Sequence, residues 1–265
     1  MIEDKIQKKT LSIRVSTNGF CFCSYTPSLP DSLQFFFYCP VQEISLAANL
    51  RQAIEECPFD VKGCNIKAIV ETGEFTQIPA EFDDRQDYRE YWQLCFPGAG
   101  NNMEIVANKM TAHNFTILFP VEKATYEVLQ QYGTVSFYTP ISILAGYLTR
   151  TPLPEEQYML CYSINGHAIL MSIKGGQIRI SNLFKFNNEQ NLLFYLLSTW
   201  KEQELSQTGD TLYICGDCSI EKLQPECGRF IKNIKRINPN TLFSPSILNK
   251  LKEIPFDLQA LILCE

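Results

Sequence analysis

Histidine is scarce in this sequence of 265 residues, because His113 and His167 are the only two. Neither lies in a motif with a serine or cysteine nucleophile, and the nucleophile-elbow sequence G-x-S-x-G does not occur. The phosphate-binding sequence G-x-x-x-x-G-K-[ST] is also absent, which excludes a P-loop NTPase of the usual form. The sequence therefore disfavours triad hydrolases and P-loop enzymes.

Long apolar runs and an excess of positive charge are missing as well. The longest apolar runs, at residues 141–148 and 192–197, are far shorter than the roughly 20 residues that a membrane-spanning helix needs. The charged N-terminal segment lacks the apolar stretch of a signal peptide. The net charge is −6, and the short basic cluster of Lys232, Lys235 and Arg236 is typical of a solvated surface. We predict a cytoplasmic protein with no membrane span that does not bind nucleic acid.

Cysteine, in contrast, is abundant, with 11 residues. Without an export signal, most of them should be free thiols that pack as small apolar side chains. Cys215 and Cys218 form a C-x-x-C pair between a predicted strand and a predicted helix, which leaves open a redox pair or, with Cys227, a set of thiolate ligands. Because no second C-x-x-C or nearby histidine completes a tetrahedral zinc site, a thiol function ranks third among our hypotheses.

Two parts of the sequence share one order of predicted elements: strand, Asn-Gly turn, two strands, a long helix, a strand and a glycine. Asn18-Gly19 in the first part matches Asn165-Gly166 in the second, and Gly73 matches Gly216. Asn-Gly is a strong hairpin signal because both residues tolerate a positive φ. The repeat indicates an internal duplication, with one domain at residues 1–150, a second at 151–265 and a cleft between them. The proline-containing segment around residues 149–156 is the predicted linker.

Hydrophobic patterns predict the environment of several elements. Residues 11–16 alternate apolar and polar side chains, which predicts a half-buried strand with Arg14 on its polar face. Residues 35–38 are aromatic throughout, which predicts a strand covered on both faces. Helices are predicted at residues 43–56, 83–95, 121–132, 141–148 and 188–204, and strands at 104–108 and 115–119. We expect the apolar tail at residues 256–264 to pack between the two halves.

This order of elements, duplicated around a cleft, resembles the actin-like ATPase superfamily, which includes the cell-division and pilus-assembly type actin homologues. The chain also resembles an uncharacterised bacterial family, domain of unknown function 3822, assigned to that fold. The resemblance implies an α/β protein made of two ribonuclease H-like, actin-type domains. Each domain would be a mixed β-sheet flanked by helices, and a central cleft would separate the two.

The resemblance also indicates where a nucleotide site would lie. In active relatives each first hairpin carries Asp-x-Gly, whose carboxylate holds hydrated magnesium, and a Gly-Gly pair after a later strand passes close to adenosine. Here the hairpins carry neutral asparagine in place of aspartate, and the later strand has a single glycine followed by an acid. These positions can be simple turns and a helix N-cap. The nucleotide-binding residues that the resemblance implies are Asn18, Gly19, Asn165, Gly166, Gly216 and Asp217.

Other features of the superfamily have weaker counterparts in the sequence. A water-orienting acid or amide often follows the fourth strand of the first half, and Glu71 and Glu74 lie in that region. They are also what an ordinary surface loop would carry. Ala145, Gly146 and Ala260 fit the small residues that are typical where crossing segments meet.

The missing carboxylates determine the functional prediction. Phosphoryl transfer depends on a positioned metal ion and on positioned charge, and both hairpins lack the acids that would hold that metal. We predict a non-catalytic interaction or scaffold protein with a degenerate nucleotide site, no required cofactor and an unidentified protein partner. The alternative is a weak or unorthodox ATP-binding protein with ATPase activity, which would use ATP and magnesium.

Overall fold

The computed structural model describes residues 9–26, 29–83, 87–98, 102–217, 220–243 and 248–263. Several predicted features fall partly outside these ranges: Cys218, residues 84–86 of the predicted helix at 83–95, and Cys264 at the end of the predicted tail. Among the described residues, no helix is long and apolar enough to cross a lipid bilayer.

The first half is built on a mixed sheet of five strands in the order β3-β2-β1-β4-β8. The hairpin pair is antiparallel, whereas β4 runs parallel to both β1 and β8. Helix α1 begins after Ser45, whose side chain accepts a hydrogen bond from the amide of Ala48. The buried apolar residues of α1 belong to the same core cluster as those of the sheet. The elements are β1 (Thr10–Ser16), β2 (Gly19–Thr26), β3 (Leu29–Tyr38), α1 (Leu46–Glu56), β4 (Asn65–Val70) and β8 (Thr134–Tyr138).

A smaller antiparallel sheet of three strands, in the order β5-β7-β6, is inserted between β4 and β8. Its elements are β5 (Thr76–Pro79), α2 (Tyr88–Cys95), β6 (Met103–Met110) and β7 (Phe115–Glu122), followed by α3 (Lys123–Gln130). β5 is not predicted from the sequence, and β7 continues to Glu122, where the sequence predicts that a helix has already begun. The inserted sheet also reaches the second half, because Gln77 donates a hydrogen bond to Ser181.

The second half repeats the order of the first sheet as β11-β10-β9-β12-β13, which confirms the predicted duplication. Helix α4 (Pro140–Arg150) ends the first half, and β9 (Gln157–Ile164) begins the second. The division at residue 150 lies between them and stays a prediction. The remaining elements are β10 (His167–Lys174), β11 (Gln177–Lys185), α5 (Glu189–Glu202), β12 (Thr211–Gly216), α6 (Ile220–Cys227), β13 (Asn233–Arg236), α7 (Leu248–Leu251) and α8 (Phe256–Leu263).

Backbone hydrogen bonds fix how the two halves correspond. The amide of Glu71 donates to the carbonyl of Val15 at 2.9 Å, and the amide of Asp217 donates to the carbonyl of Ser163 at 2.7 Å. Glu71 is therefore the counterpart of Asp217, and the residue before it, Val70, is the counterpart of Gly216. The predicted match of Gly73 with Gly216 is wrong, because Gly73 lies in the loop that leads from β4 into the inserted sheet.

Helix α8 returns to pack between the halves, as expected from its apolar sequence. All residues from Phe256 to Ile262 are buried, and the helix contacts α4, β1 and β12. The largest core cluster accordingly contains side chains of both sheets and of α8. Ala145 and Ala260 are fully buried in α4 and α8, which contact each other, whereas a Cβ atom at Gly146 would meet no atom within 4 Å.

Two predictions about strand burial are wrong. β1 is not half-buried, because α8 packs against β1 and the polar residues Ser12, Arg14 and Ser16 are as buried as their apolar neighbours. β3, an edge strand, is not covered on both faces, because Phe37 is 50% exposed. A run of aromatic residues does not by itself distinguish an edge strand from a central one.

The backbone geometry of the glycine at the end of β12 leads to a prediction about stability. Gly216 has a φ of 81°, and a Cβ atom there would lie 2.1 Å from the carbonyl oxygen of Ser163. Gly216→Ala should therefore lower the free energy of unfolding by at least about 2 kcal/mol, measured by urea denaturation. Gly146→Ala is the control and should raise it by about 0.5–1 kcal/mol, because the helix interior has room for a methyl group. Equal effects of the two substitutions would contradict this account.

The burial of a histidine leads to a prediction about how folding stability depends on pH. His113 Nε2 lies 3.3 Å from the carbonyl oxygen of Ala145 and 3.0 Å from Thr149 Oγ1, and burial lowers the pKa of the imidazole. The unfolded chain then takes up a proton at a higher pH than the folded chain. The contribution of His113 to stability is complete above its pKa in the unfolded chain, about 6.5, and is lost as the pH falls below that value. Wild type should lose more stability than His113→Gln between about pH 7.5 and pH 5.5 in urea denaturation. Parallel losses would contradict the assignment.

Candidate functional site

The two hairpins differ in geometry although both contain Asn-Gly. In the second hairpin, Asn165 and Gly166 form the turn with φ angles of 52° and 74°. In the first, the turn residues are Thr17 and Asn18, and Gly19 already pairs with Ser16 in the ladder. Asn18 does not have a positive φ, so that part of the turn prediction is wrong for the first hairpin. A Cβ atom at Gly19 would lie 2.4 Å from the Phe37 ring, so packing accounts for this glycine.

Three of the predicted nucleotide-binding residues meet at one corner of the second sheet. Asp217 Oδ2 accepts a hydrogen bond from the amide of Asn165 at 3.1 Å, and Gly216 is the last residue of β12, directly before Asp217. The Asp217 carboxylate thus fastens the hairpin turn to the strand next to it. The proposed role of Asp217 as a helix N-cap depends on residues 218 and 219, which lie outside the described residues.

A cavity of about 570 Å³ opens beside this corner. Gly216, Asp217 and Arg236 line one side, and residues 251–256 and Gln259 line the other. Gln259 donates hydrogen bonds to the carbonyls of Leu251 and Ile254, and its Oε1 atom is buried without a partner among the described residues. Of the predicted site residues, Gly216 and Asp217 therefore face a space that is large enough for a small molecule.

The centre of the interface between the halves holds a buried arginine that the sequence pattern does not identify. Arg14 is 2% exposed; its Nε lies 2.9 Å from Asp257 Oδ2 and its Nη2 lies 3.1 Å from Glu71 Oε2. Asp257 is fully buried in α8, and its Oδ1 also accepts a hydrogen bond from the amide of Leu258. One guanidinium thus joins β1, the end of β4 and the C-terminal helix.

The second half supplies His167 and Tyr162 to the same cluster. His167 Nδ1 lies 3.6 Å from Glu71 Oε1, across the boundary between the halves. Arg14 pairs in register with Ile69 of β4, and Tyr162 pairs with Cys215 of β12. Arg14 and Tyr162 are therefore counterparts in the duplicated sheets. The only charged residue of β1 is Arg14, but the alternating pattern of this strand places it on a polar face and gives no indication of its partners.

Burial and charge act together on the titratable groups of this cluster. Burial alone would lower the pKa of Arg14, but Asp257, Tyr162 and Glu71 raise it above its ordinary value, so the guanidinium stays charged. Burial raises the pKa of Tyr162 well above the usual range and raises that of Cys21 to about 12. The phenol and the thiol are therefore neutral at physiological pH.

Cys215, the first cysteine of the C-x-x-C pair, is buried. This residue is 1% exposed, and its Sγ donates a weak hydrogen bond to the carbonyl of Cys161 at 3.8 Å. Reactive cysteines are at least partly exposed in electropositive surroundings, which Cys215 does not share. Cys218 lies outside the described residues.

Two duplicated five-stranded sheets, a cleft and a helix crossing between them define the actin-like ATPase fold. A protein of Bacteroides thetaiotaomicron VPI-5482, described as having an actin-like ATPase fold and unknown function, is 28% identical, with a TM-score of 0.81 and 100% of both chains covered. A chain of the PilM–PilN type IV pilus biogenesis complex is 11% identical, with a TM-score of 0.63, and 97% of this chain and 99% of that chain are covered. The predicted fold class is thereby confirmed.

The sequence also identifies the family. The family described as "Protein of unknown function (DUF3822)" matches residues 1–234, so the chain belongs to it, as the resemblance had indicated. No curated protein matches the sequence.

The buried ion pair of Arg14 and Asp257 leads to a prediction about stability. Arg14→Gln should lower the free energy of unfolding by about 3–5 kcal/mol, because it leaves the Asp257 carboxylate buried without its counter-charge. The double variant Arg14→Gln, Asp257→Asn should recover part of that loss, with a coupling energy of about 1–3 kcal/mol in a double-mutant cycle. Both values come from urea denaturation.

The control for this cycle is a surface arginine. Arg229 pairs with Glu226 at 3.2 Å in an exposed position, so Arg229→Gln should change the free energy of unfolding by less than about 1 kcal/mol. A cost for Arg14→Gln no larger than that of the control, or a double variant whose losses simply add, would contradict a central role for the pair.

Proposed function

We propose that this protein is a non-catalytic interaction or scaffold protein of the actin-like fold, in which the ancestral nucleotide site is degenerate. The observation that carries the proposal is that three acids at or near the boundary between the halves already have partners within the chain. Glu71 and Asp257 are both bound to Arg14, and Asp217 is bound to the amide of Asn165. A magnesium ion bound to phosphates needs carboxylate or water ligands that are free to coordinate it.

Charge at the cleft supports the same proposal. Phosphoryl transfer relies on a metal ion whose charge offsets that of the phosphates. In this protein the guanidinium of Arg14 occupies the position between Glu71 and Asp257, so both acids already contact a fixed positive charge. Within the described part of the chain, no group of three or more His, Cys, Asp or Glu side chains is arranged to hold a metal ion.

The proposed partner is a protein. One structural neighbour belongs to a complex of two proteins, PilM and PilN, and at 11% identity it supports the fold alone. By analogy, we propose that this chain uses its two halves to hold a second protein, and that this binding does not require nucleotide.

A titration with Mg-ATP tests the degenerate site. Isothermal calorimetry on the full chain should show no saturable heat. A ligand that binds only the folded state raises the melting temperature, so without binding the melting temperature should not rise with ATP concentration. Saturable binding together with release of phosphate would overturn the scaffold proposal.

The alternative, a weak ATP-binding protein, is favoured by one observation, the cavity of about 570 Å³ beside Gly216 and Asp217. Arg236 lines that cavity and is exposed, so Arg236→Glu changes its charge without disturbing the core. If Mg-ATP binds there, Arg236→Glu should weaken binding at least about tenfold, as expected for loss of a charge-assisted hydrogen bond. Arg229→Glu, outside the cavity, is the matched control and should leave binding unchanged.

A further inference from the structure

A cavity of about 250 Å³, which we call the linker cavity, lies at the end of the second sheet opposite the cleft. Tyr158 and Ile173, which pair across β9 and β10, line this cavity, whereas Ile164 and His167 pair at the other end of the same two strands. The six-residue step from Tyr158 to Ile164 corresponds to roughly 20 Å of extended strand. The linker cavity is therefore distinct from the space around the predicted nucleotide-binding residues.

Both halves and the segment that joins them form the walls of the linker cavity. The first half supplies the short turn between β6 and β7 and the end of α4, and the second supplies β9 and the hairpin of β10 and β11. The side chain of Gln177 donates a hydrogen bond to the carbonyl of Ala112 at 2.9 Å, which joins the halves at the cavity wall. The apolar side chains of the wall are Leu148, Pro152, Leu153 and Ile173.

The imidazole of His113, which is 7% exposed, is the first unsatisfied polar group in the wall. The hydroxyl of Thr149 donates its hydrogen to the carbonyl of Ala145 at 2.9 Å, so toward His113 Nε2, 3.0 Å away, its oxygen can only accept. Nε2 therefore carries the imidazole proton. Because burial lowers the pKa of His113, the imidazole is neutral at physiological pH and Nδ1 is a bare acceptor. Nδ1 is buried without a hydrogen-bond partner among the described residues.

The phenol of Tyr158, in the second half, is the other unsatisfied group. Tyr158 is 3% exposed and its ring packs edge-on against Tyr213, but its hydroxyl has no hydrogen bond to any described residue. Burial and the nearby Glu155 carboxylate raise the pKa of Tyr158 to about 12, so the hydroxyl keeps its proton and can donate it. Buried polar groups without partners are rare in folded proteins. A bare acceptor and a free donor on residues that line one cavity indicate a ligand with the complementary pair.

The charges around the linker cavity favour a neutral ligand. Among the described residues, no lysine or arginine lines it, so an anion would meet no counter-charge there. Glu155 is its one acidic residue; Oε1 lies 2.6 Å from Lys235 Nζ, and Oε2 accepts a hydrogen bond from the Tyr213 hydroxyl. A cation would therefore compete with Lys235 for a carboxylate that already has partners.

We propose that the linker cavity binds a small neutral molecule with an amide group, whose N–H donates to His113 Nδ1 and whose carbonyl accepts from the Tyr158 hydroxyl. A cavity of about 150 Å³ holds benzene, so this one accommodates roughly ten heavy atoms, and the body of the ligand packs against Leu148 and Ile173. Because the ligand contacts both halves and the segment between them, its binding favours one arrangement of the halves. The inference does not depend on the nucleotide site, which lies at the other end of the sheet.

Titration of the full chain with benzamide tests the site, followed by ligand-observed NMR and by the melting temperature at constant ionic strength. We expect saturable binding at neutral pH. Acetophenone has the same shape and the same carbonyl but no N–H, so it leaves Nδ1 of His113 unsatisfied and should bind at least about tenfold more weakly. Benzoate, which has the same shape and a negative charge, should also bind at least about tenfold more weakly. No saturable binding of benzamide, or equal binding of acetophenone or benzoate, would overturn the proposal.

Two variants separate the roles of the polar groups. Tyr158→Phe removes the donor to the carbonyl, so it should raise the Kd values of benzamide and acetophenone alike, by at least about fivefold. His113→Leu removes the acceptor of the N–H, so it should reduce the preference for benzamide over acetophenone to nearly onefold. Tyr195→Phe, the same change at a tyrosine outside the cavity, is the matched control and should leave both Kd values unchanged. A preference that survives in His113→Leu would overturn the assigned acceptor.

A third variant tests the location without altering a polar group. Leu153→Trp, at a half-buried wall position, should fill the space and abolish benzamide binding while circular dichroism shows a folded protein. Unchanged affinity for benzamide in both Leu153→Trp and Tyr158→Phe would place the binding elsewhere and overturn the proposal.

Discussion

The ion pair between Arg14 and Asp257 is the interaction on which the arrangement of the two halves depends. A guanidinium and a carboxylate that are both removed from water lose several kcal/mol of hydration each, so they persist only when they meet each other with good geometry. Here one partner lies in the central strand of the first sheet and the other in the last helix of the chain, 243 residues away. The pair therefore has no stable form until α8 has returned between the halves. Glu71 and His167 extend the same polar contact to the second sheet.

Duplication explains why this contact lies where it does. The two sheets have the same strand order, and their parallel strands end at the same boundary, so corresponding positions face the shared interface. At one pair of counterparts the first half has Arg14 and the second has Tyr162; at another both halves have an acid, Glu71 and Asp217. The symmetric acids have different roles, because Glu71 joins the ion-pair cluster and Asp217 binds the amide of its own hairpin. Sequence divergence has thus made an interface of two similar parts asymmetric.

The sequence predicted the fold because local signals and the repeat agreed. The Asn165-Gly166 turn, the capped amphipathic helix α1 and the apolar tail each follow from patterns of a few residues, and the repeated order indicated two similar halves. Features that depend on the neighbour of a strand were wrong. Arg14 was placed on a solvated face because alternation cannot show that a helix from the other end of the chain covers it. The aromatic run at residues 35–38 lies on a sheet edge, which only the pairing order determines. The site was predicted least well, since Gly73 and Gly216 were matched by residue type, whereas backbone hydrogen bonds set the true register.

Structural requirements account for the residues at the cleft that a nucleotide site would also use. A glycine with a positive φ, or an acid at a strand end, is consistent with a nucleotide site, but Gly216 and Asp217 already have complete structural explanations in the close approach of Ser163 and the amide of Asn165. The polar side chains at the boundary between the halves also have structural partners. The hydroxyl of Tyr162 is hydrogen-bonded to the backbone of Asp257, and His167 Nδ1 lies 3.6 Å from Glu71 Oε1. An unsatisfied buried polar atom costs about 1–3 kcal/mol, so the fold itself requires such partners wherever the duplicated sheets bury polar groups against each other. The polar groups at this boundary are therefore explained by the contact between the halves, which is centred on Arg14.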